Sequence, residues 1–433
     1  MKRKRIDVVS LGCSKNLVDS ERLLKQFEQC GFDAHHNSSD VKGPIVVINT
    51  CGFIGDAKEE SIETILSFAQ AKTDGKIKEI YVMGCLSERY REELTNEIPE
   101  IDKIYGKFDW TNLTADLAKK HPAIMPYDRV ITTPKHYTYI KIAEGCNRFC
   151  AFCAIPLITG RFTSRKKEDI LEEVKMLAQR GVKEFNIIAQ DLSSYGLDIY
   201  GKMALPELID EMSNINGVKW IRLHYAYPAQ FPIEMLDVMA RHSNVCNYLD
   251  IALQHIDDTV LSNMRRHITK QETLALINEI RQRVPGIHLR TTLMVGFPGE
   301  TEKAFDDLKQ FVKEVKFERM GAFAYCEEED TYAAKHFEDS IPEEVKQRRL
   351  DELMEIQEDI SLQINEAKVG KVLRVIIDRE DDNYYIGRTE FDSPEVDPEV
   401  LICKDFTLEI GEFYDVKVTD ALAYELIAKP ISK

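Results

Sequence analysis

Long apolar runs are what this 433-residue chain most plainly lacks: nowhere do about 18 or more apolar residues follow one another, which excludes a membrane-spanning helix and a membrane partner. The basic start, Met1-Lys2-Arg3-Lys4-Arg5, leads into a short strand-like run at 6–11, without the h-region and cleavage site of a secretory signal. The expected compartment is the cytoplasm. Positive charge is also scarce. Lys and Arg number 57 against 74 Asp and Glu, a net charge of −17, whereas nucleic-acid binders usually show a basic patch or domain. That balance leans toward a basic protein partner. Signs of wholesale disorder are missing too: 44% hydrophobic residues support sizeable cores, and the length calls for two or three domains. Because disulfides seldom form in a reducing compartment, the ten cysteines are read as free thiols or metal ligands.

What is present is concentrated in one loop, Cys146-Asn147-Arg148-Phe149-Cys150-Ala151-Phe152-Cys153, directly after an apolar run at 137–143. Cysteine thiolates are the usual ligands of iron–sulfur clusters. Three close ones can hold three irons of a cubane and leave the fourth open, as a site that does chemistry requires. Zinc is the alternative, since Cys150 and Cys153 form a C-x-x-C pair. It would need a fourth ligand, and no His or Cys follows Cys153 for a long way. The spacing resembles that of the radical S-adenosylmethionine superfamily. That resemblance implies a 4Fe–4S cluster whose open iron is chelated by S-adenosyl-L-methionine, with an electron from the cluster cleaving the sulfonium to a 5′-deoxyadenosyl radical.

Upstream, strand-like runs at 6–11, 44–49 and 79–84 alternate with helical stretches at 18–30 and 56–71, the signature of a parallel sheet. Each of the three strands ends in a cysteine: Cys13, Cys51 and Cys85. Ligands collect at the carboxyl ends of strands in open α/β sheets, so three cysteines in three successive βα units point to a second cluster. Cys30, inside a helical stretch, is read as core. Residues 126–136, with Pro126 and Pro134, read as a linker.

From Tyr137 a repeating β-then-α pattern begins, with strand-like runs at 137–143, 184–189, 219–224, 248–253, 289–295 and 320–325. It predicts a full or partial TIM-type barrel with the cysteine loop on its catalytic face. Gly296 to Glu300 is equally consistent with an ordinary turn, and Tyr225-Ala226-Tyr227-Pro228 is similarly ambiguous. Cys246 and Cys326 are read as structural. A charged helix at 342–365 reads as a solvated connector. Five short alternating runs after Gly370 then predict a small closed barrel of the OB kind, with Cys403 in its core.

The segments around Cys13, Asn49-Thr50-Cys51-Gly52-Phe53 and Gly84-Cys85-Leu86-Ser87-Glu88-Arg89-Tyr90 resemble the N-terminal domain of the methylthiotransferases. That resemblance implies an open α/β domain at 1–125 carrying an auxiliary cluster that holds the sulfur. It further implies a radical SAM core at 132–363 and a TRAM domain at 366–433. Cofactors would be two 4Fe–4S clusters, held by Cys13, Cys51 and Cys85 and by Cys146, Cys150 and Cys153, with S-adenosyl-L-methionine. Phe152, Gln190, Asp191, Gly296, Gly299 and Glu300 resemble cofactor contacts. Residues 387–397 look like the branch that methylthiolates the β-carbon of an aspartate in ribosomal protein S-twelve, alone or in the small ribosomal subunit, with an electron donor as second partner. Residues 371–433 carry 8 basic and 15 acidic side chains, which suits a basic ribosomal protein better than a phosphate backbone. Glu390, Asp392, Glu395 and Asp397 are the expected docking face, although such acids can also merely solubilise a loop. Methylthiolation of a modified adenosine in transfer RNA is the alternative. A non-catalytic iron–sulfur protein, or a zinc-stabilised RNA-binding one, is the alternative of another class.

Overall fold

The structure, a computed structural model, describes residues 4–38, 43–119 and 127–431. Lys2, Arg3 and Pro126 lie outside the described residues.

The first unit runs β1 (Arg5–Ser10), α1 (Ser14–Gln29), β2 (Asp33–His36), β3 (Ile45–Thr50), α2 (Gly55–Thr73), β4 (Glu79–Gly84), α3 (Cys85–Arg89) and β5 (Lys103–Ile104). The sheet order is β2-β1-β3-β4-β5, with every neighbouring pair parallel. All of β3 is buried, and a strand covered on both faces needs a near-continuous apolar run. Leu23, Leu24 and Phe27 of α1 cover Ile6 and Val8 on one face. Ile65 and Ala69 of α2 cover Val46, Ile48 and Val82 on the other. The edge strands β2 and β5 escape a reading of periodicity, because one is half-buried Asp-Ala-His-His and the other is two residues long.

The second unit is a sheet of six parallel strands: β6 (Tyr137–Lys141), β7 (Glu184–Ile188), β8 (Trp220–Ala226), β9 (Val245–Ile251), β10 (His288–Val295) and β11 (Arg319–Ala324). They pair in chain order, and among the described residues β6 and β11 do not meet, so the barrel is partial. Intervening helices supply Val174, Leu177, Leu208, Met212, Leu236, Ile277 and Leu308 to its outer core. The charged helix, α5 (Glu343–Glu366), is not the expected solvated connector. Its Leu353 and Ile360 enter that same core, and Gln357 Nε2 donates to the Phe317 carbonyl at 3.0 Å. An open sheet edge needs a cover, and one stripe of α5 provides it.

The third unit is a closed barrel of β12 (Val372–Glu380), β13 (Tyr384–Thr389), β14 (Glu399–Cys403), β15 (Phe413–Ala421) and β16 (Glu425–Pro430), in the order β12-β13-β14-β16-β15. Val375, Ile377, Val400, Val416, Val418 and Leu426 fill it.

The acidic segment between β13 and β14 is not a free docking face. Arg319 Nε donates to Asp392 Oδ1 at 2.9 Å, and Asp392 is only 1% exposed. Tyr248 donates to Asp397 at 2.9 Å, and Tyr137 to Glu395 at 3.1 Å. Glu390 accepts from the Asn247 backbone N–H at 3.3 Å. Arg319 and Tyr137 begin their strands, and Tyr248 lies within β9. The segment therefore plugs the amino-terminal mouth of the partial barrel, opposite the cysteine loop. Its charge was legible in the sequence; that buried arginines and tyrosines consume it was not.

Candidate active site

In the first sheet the chain turns from β1 toward β2 on one side and continues through β3 and β4 on the other. Such a reversal opens a crevice at the carboxyl ends of the two strands that flank it. Cys13 follows β1, Cys51 follows β3, and Cys85 opens α3 directly after β4. Gly12 has φ +82°, and a Cβ there would stand 2.7 Å from Cys51 Sγ, so only glycine lets the two strand ends approach this closely. Solvent reaches Cys13 although protein surrounds it. Burial disfavours its thiolate, but Lys15, the Asn16 N–H and Lys107 outweigh that and hold the thiol below its ordinary value. Burial pushes Cys51 up, with Cys13 adding to it, and pushes Cys85 up to about 11. The three thiols thus lie within electrostatic reach of one another.

The second triad sits at the opposite end of the partial barrel from the acidic plug. The Ala151 N–H donates to the Met264 carbonyl at 2.9 Å, and the Ala333 N–H to the Ala151 carbonyl at 2.7 Å, which pins the loop on both sides. Arg266 Nη1 donates to Cys150 Sγ at 3.4 Å, and the Arg148 N–H to Cys146 Sγ at 3.5 Å. Burial pushes Cys146 up to about 11, and it pushes Cys153 up as well, with Cys150 adding. Thiols this reluctant to ionise become ligands when a metal centre displaces the proton. Among the described residues no three His, Cys, Asp or Glu side chains sit close enough to hold a single ion.

One cysteine of the first triad lies beside the segment that follows the second. Cys85 packs against Ala154 and Ile158, the latter on α4 (Ile155–Thr159), just after Cys153. Glu328, buried beyond the end of β11, accepts from Lys58 at 3.0 Å and from Arg89 at 3.1 Å. Arg89 closes the helix that Cys85 opens, and its Nη2 also donates to the Glu329 carbonyl at 2.8 Å. Deeper in, Asp19 of α1 accepts from Lys107 at 3.3 Å and from Lys141 of β6.

The other sequence-predicted residues divide into two groups. Asp191 accepts from Arg148 Nε at 2.7 Å and Ser194 Oγ at 2.6 Å, which ties it to the cysteine loop. Gln190 donates to Glu144 at 3.5 Å, and its Oε1 is buried without a partner. Phe152 is half-buried, edge-on to Phe297 at 6.4 Å. Gly296, by contrast, faces α5: its φ is +75°, and a Cβ there would lie 2.4 Å from Lys346 Cγ. Glu300 accepts from the Gly296 N–H inside the same turn, and Gly299 abuts Asn263. Cys246 is buried as expected of a structural thiol, but Cys326 is exposed.

Arg148, Arg266, Lys107, Glu328 and Gln254, whose buried Oε1 is also unpartnered, escaped the sequence reading. Only the run Cys326-Glu327-Glu328-Glu329-Asp330 hinted at any of them. The ambiguous Tyr225-Ala226-Tyr227-Pro228 does belong here. The Tyr227 ring carries Arg148 at 4.2 Å and Arg266 at 4.1 Å.

Residues 140–312 match the Radical SAM superfamily, residues 5–106 the Uncharacterized protein family UPF0004, and residues 369–431 the TRAM domain. Over 429 residues, 99% of each chain, the sequence is 61% identical to a protein of Phocaeicola vulgatus named ribosomal protein uS12 methylthiotransferase RimO. It is 60% identical to the protein of that name from Bacteroides thetaiotaomicron, over 100% of each. Among solved structures, its fold is like that of the radical S-adenosylmethionine methyltransferase TsrM from Kitasatospora setae. The TM-score is 0.56 over 74% of this chain and 72% of that one, at 15% identity.

Proposed function

This chain belongs to the ribosomal protein uS12 methylthiotransferase family, and from that premise we propose which of its residues do the work. The reaction is methylthiolation of an aspartate of ribosomal protein uS12 by radical S-adenosylmethionine chemistry, with two 4Fe–4S clusters and S-adenosyl-L-methionine as cofactors. Transfer-RNA modification and a non-catalytic role lose their support. The β-carbon of aspartate carries no leaving group and no acidic proton, so acid–base catalysis has little purchase on it. The bound cofactors supply a radical able to take a hydrogen from such a carbon.

Cys146, Cys150 and Cys153 hold the radical-generating cluster, and Cys13, Cys51 and Cys85 hold the one that presents sulfur. The donor sets fit. Arg266 beside Cys150, and Lys15 and Lys107 beside Cys13, are the cations that anionic thiolate clusters require. Gln190 and Gln254 each keep a buried acceptor oxygen free at the same end of the barrel, which suits the amino group of S-adenosyl-L-methionine. Asp191 orients Arg148 over Tyr227, and Phe152 packs edge-on against Phe297, while Gly296, Gly299 and Glu300 form the turn that follows β10 and meets α5. The single observation that carries this reading is the contact of Cys85 with Ala154 and Ile158, because it sets a cysteine of one triad beside the segment that follows the last cysteine of the other. The residue spans 1–125, 132–363 and 366–433 serve as the three domains, since each sheet draws its strands from one of them. A ribosomal substrate supports a cytoplasmic enzyme that meets uS12 alone or in the small subunit, together with an electron donor.

The test is anaerobic reconstitution with iron and sulfide, followed by dithionite, S-adenosyl-L-methionine and uS12. About eight irons per chain are expected, and about four would sink the two-cluster reading. Replacing Cys146, Cys150 and Cys153 by Ala should abolish 5′-deoxyadenosine formation. Replacing Cys13, Cys51 and Cys85 should leave some cleavage but stop methylthio transfer; normal transfer by that variant would reject their assigned role.

A further inference from the structure

An acceptor that carries a carboxylate calls for a countercharge, and among the described residues one cation beside Cys13, Lys15, forms no ion pair with a carboxylate. Lys15 lies in the first turn of α1, two residues after Cys13. Its Nζ stands 3.5 Å from the centroid of the Tyr225 ring at the carboxyl end of β8, so it spans from the first sheet to the mouth of the partial barrel. Tyr225 has φ +65°, a left-handed conformation that costs a bulky residue energy and is kept where the surroundings enforce it.

The neighbouring cations are already engaged. Lys107 and Lys141 meet Asp19, Arg148 meets Asp191, and Arg266 meets the Ala252 carbonyl and the Cys150 thiol. Lys15 is half-buried and, among the described residues, forms no ion pair with any carboxylate. Asp250, the buried acid nearest in kind, is matched by Arg290 at 3.6 Å. An ammonium resting on an aromatic face is held less tightly than one donating to a carboxylate. It can therefore exchange the ring for an incoming anion without breaking an ion pair.

We propose that Lys15 reads the side-chain carboxylate of the acceptor aspartate, moving from the Tyr225 ring to that carboxylate and so fixing the β-carbon between the two triads. This inference rests on uS12 being the acceptor. It gives a site-level reason for accepting aspartate over asparagine, which has the same shape and no charge.

The experiment measures binding of the reconstituted enzyme to labelled uS12, and to uS12 with asparagine in place of the acceptor aspartate, by fluorescence anisotropy. Wild type should favour the aspartate form by about tenfold, the worth of one charge-assisted contact. Lys15→Met and Lys15→Gln should bind both forms alike, and Lys15→Arg should keep most of the preference. A preference that survives in Lys15→Met overturns the assignment. So does a wild type that binds both forms equally, a result that depends on no variant folding. Wild type that ignores uS12 altogether would instead remove the reading of the acceptor on which this proposal stands.

Discussion

Arg129 has no exposed surface and meets two carboxylates at once, Glu173 at 2.8 Å and Glu21 on the other side. Glu21 belongs to α1, and Glu173 to the first large helix after the cysteine loop, so this one guanidinium joins the first sheet to the partial barrel. Burial alone would raise the Glu173 carboxyl, but Arg165, Arg129 and Arg22 overcome it and bring it down to about 2. A folded value below the unfolded one, roughly 4.3 for Glu, means the pairing stabilises above that pH and is lost as pH falls through about 2. Glu173→Gln should therefore cost about 3 kcal/mol at pH 7, since it leaves buried arginines without their anion. The gap from wild type should narrow between roughly pH 4 and pH 2. Paired urea titrations of the two proteins check this, and a gap independent of pH would count against it. At this scale the cysteines stood out in the sequence through their close spacing in one loop and their places after three strands. Lys107, Arg266 and Glu328 were not, because lysine, arginine and glutamate occur on every surface and only folding shows which of them face a thiol or a neighbouring sheet.

Two elements show where patterns of charge mislead. The run from Glu390 to Asp397 read as a docking face and the helix α5 as a solvated connector, yet each packs against the partial barrel. Net charge counts side chains but does not say whether the matching cation lies in solvent or 73 residues away, as Arg319 does from Asp392. Asp392→Ala should cost about 3–5 kcal/mol, because Arg319 remains buried and unpaired. Leu353→Ala in α5 should cost about 2–5 kcal/mol through the cavity it opens. Denaturant midpoints measure both, and a loss within about 0.5 kcal/mol, typical of surface positions, would show the element to be solvated after all. Strands buried on both faces, such as β3, stood out in the sequence. The edge strands β2 and β5 did not, because they bury too little to impose a period.

Across the whole molecule, the roles proposed for the two triads require two sheets to hold a fixed alignment. Glu328 sets part of that alignment by gripping Lys58 and Arg89 from the barrel side. Glu328→Gln should lower methylthio transfer by about ten- to hundredfold, the cost of a small misplacement, while 5′-deoxyadenosine continues to form. The ratio of the two products, with hydrogen exchange in α3 as a structural readout, decides it; an unchanged ratio would leave Glu328 a purely structural residue. The acidic plug carries a consequence in time. Glu395 is made 258 residues after Tyr137, the partner whose hydroxyl it receives. Arg319, in the last strand of the barrel, precedes its partner Asp392 by 73 residues, so at roughly 5–20 residues per second it faces an empty mouth for about 4 to 15 s. During that interval the emerging chain is a client for whatever shields unpaired charge and open strand ends. The enzyme becomes one cooperative unit only when its last domain arrives to close the first barrel from behind.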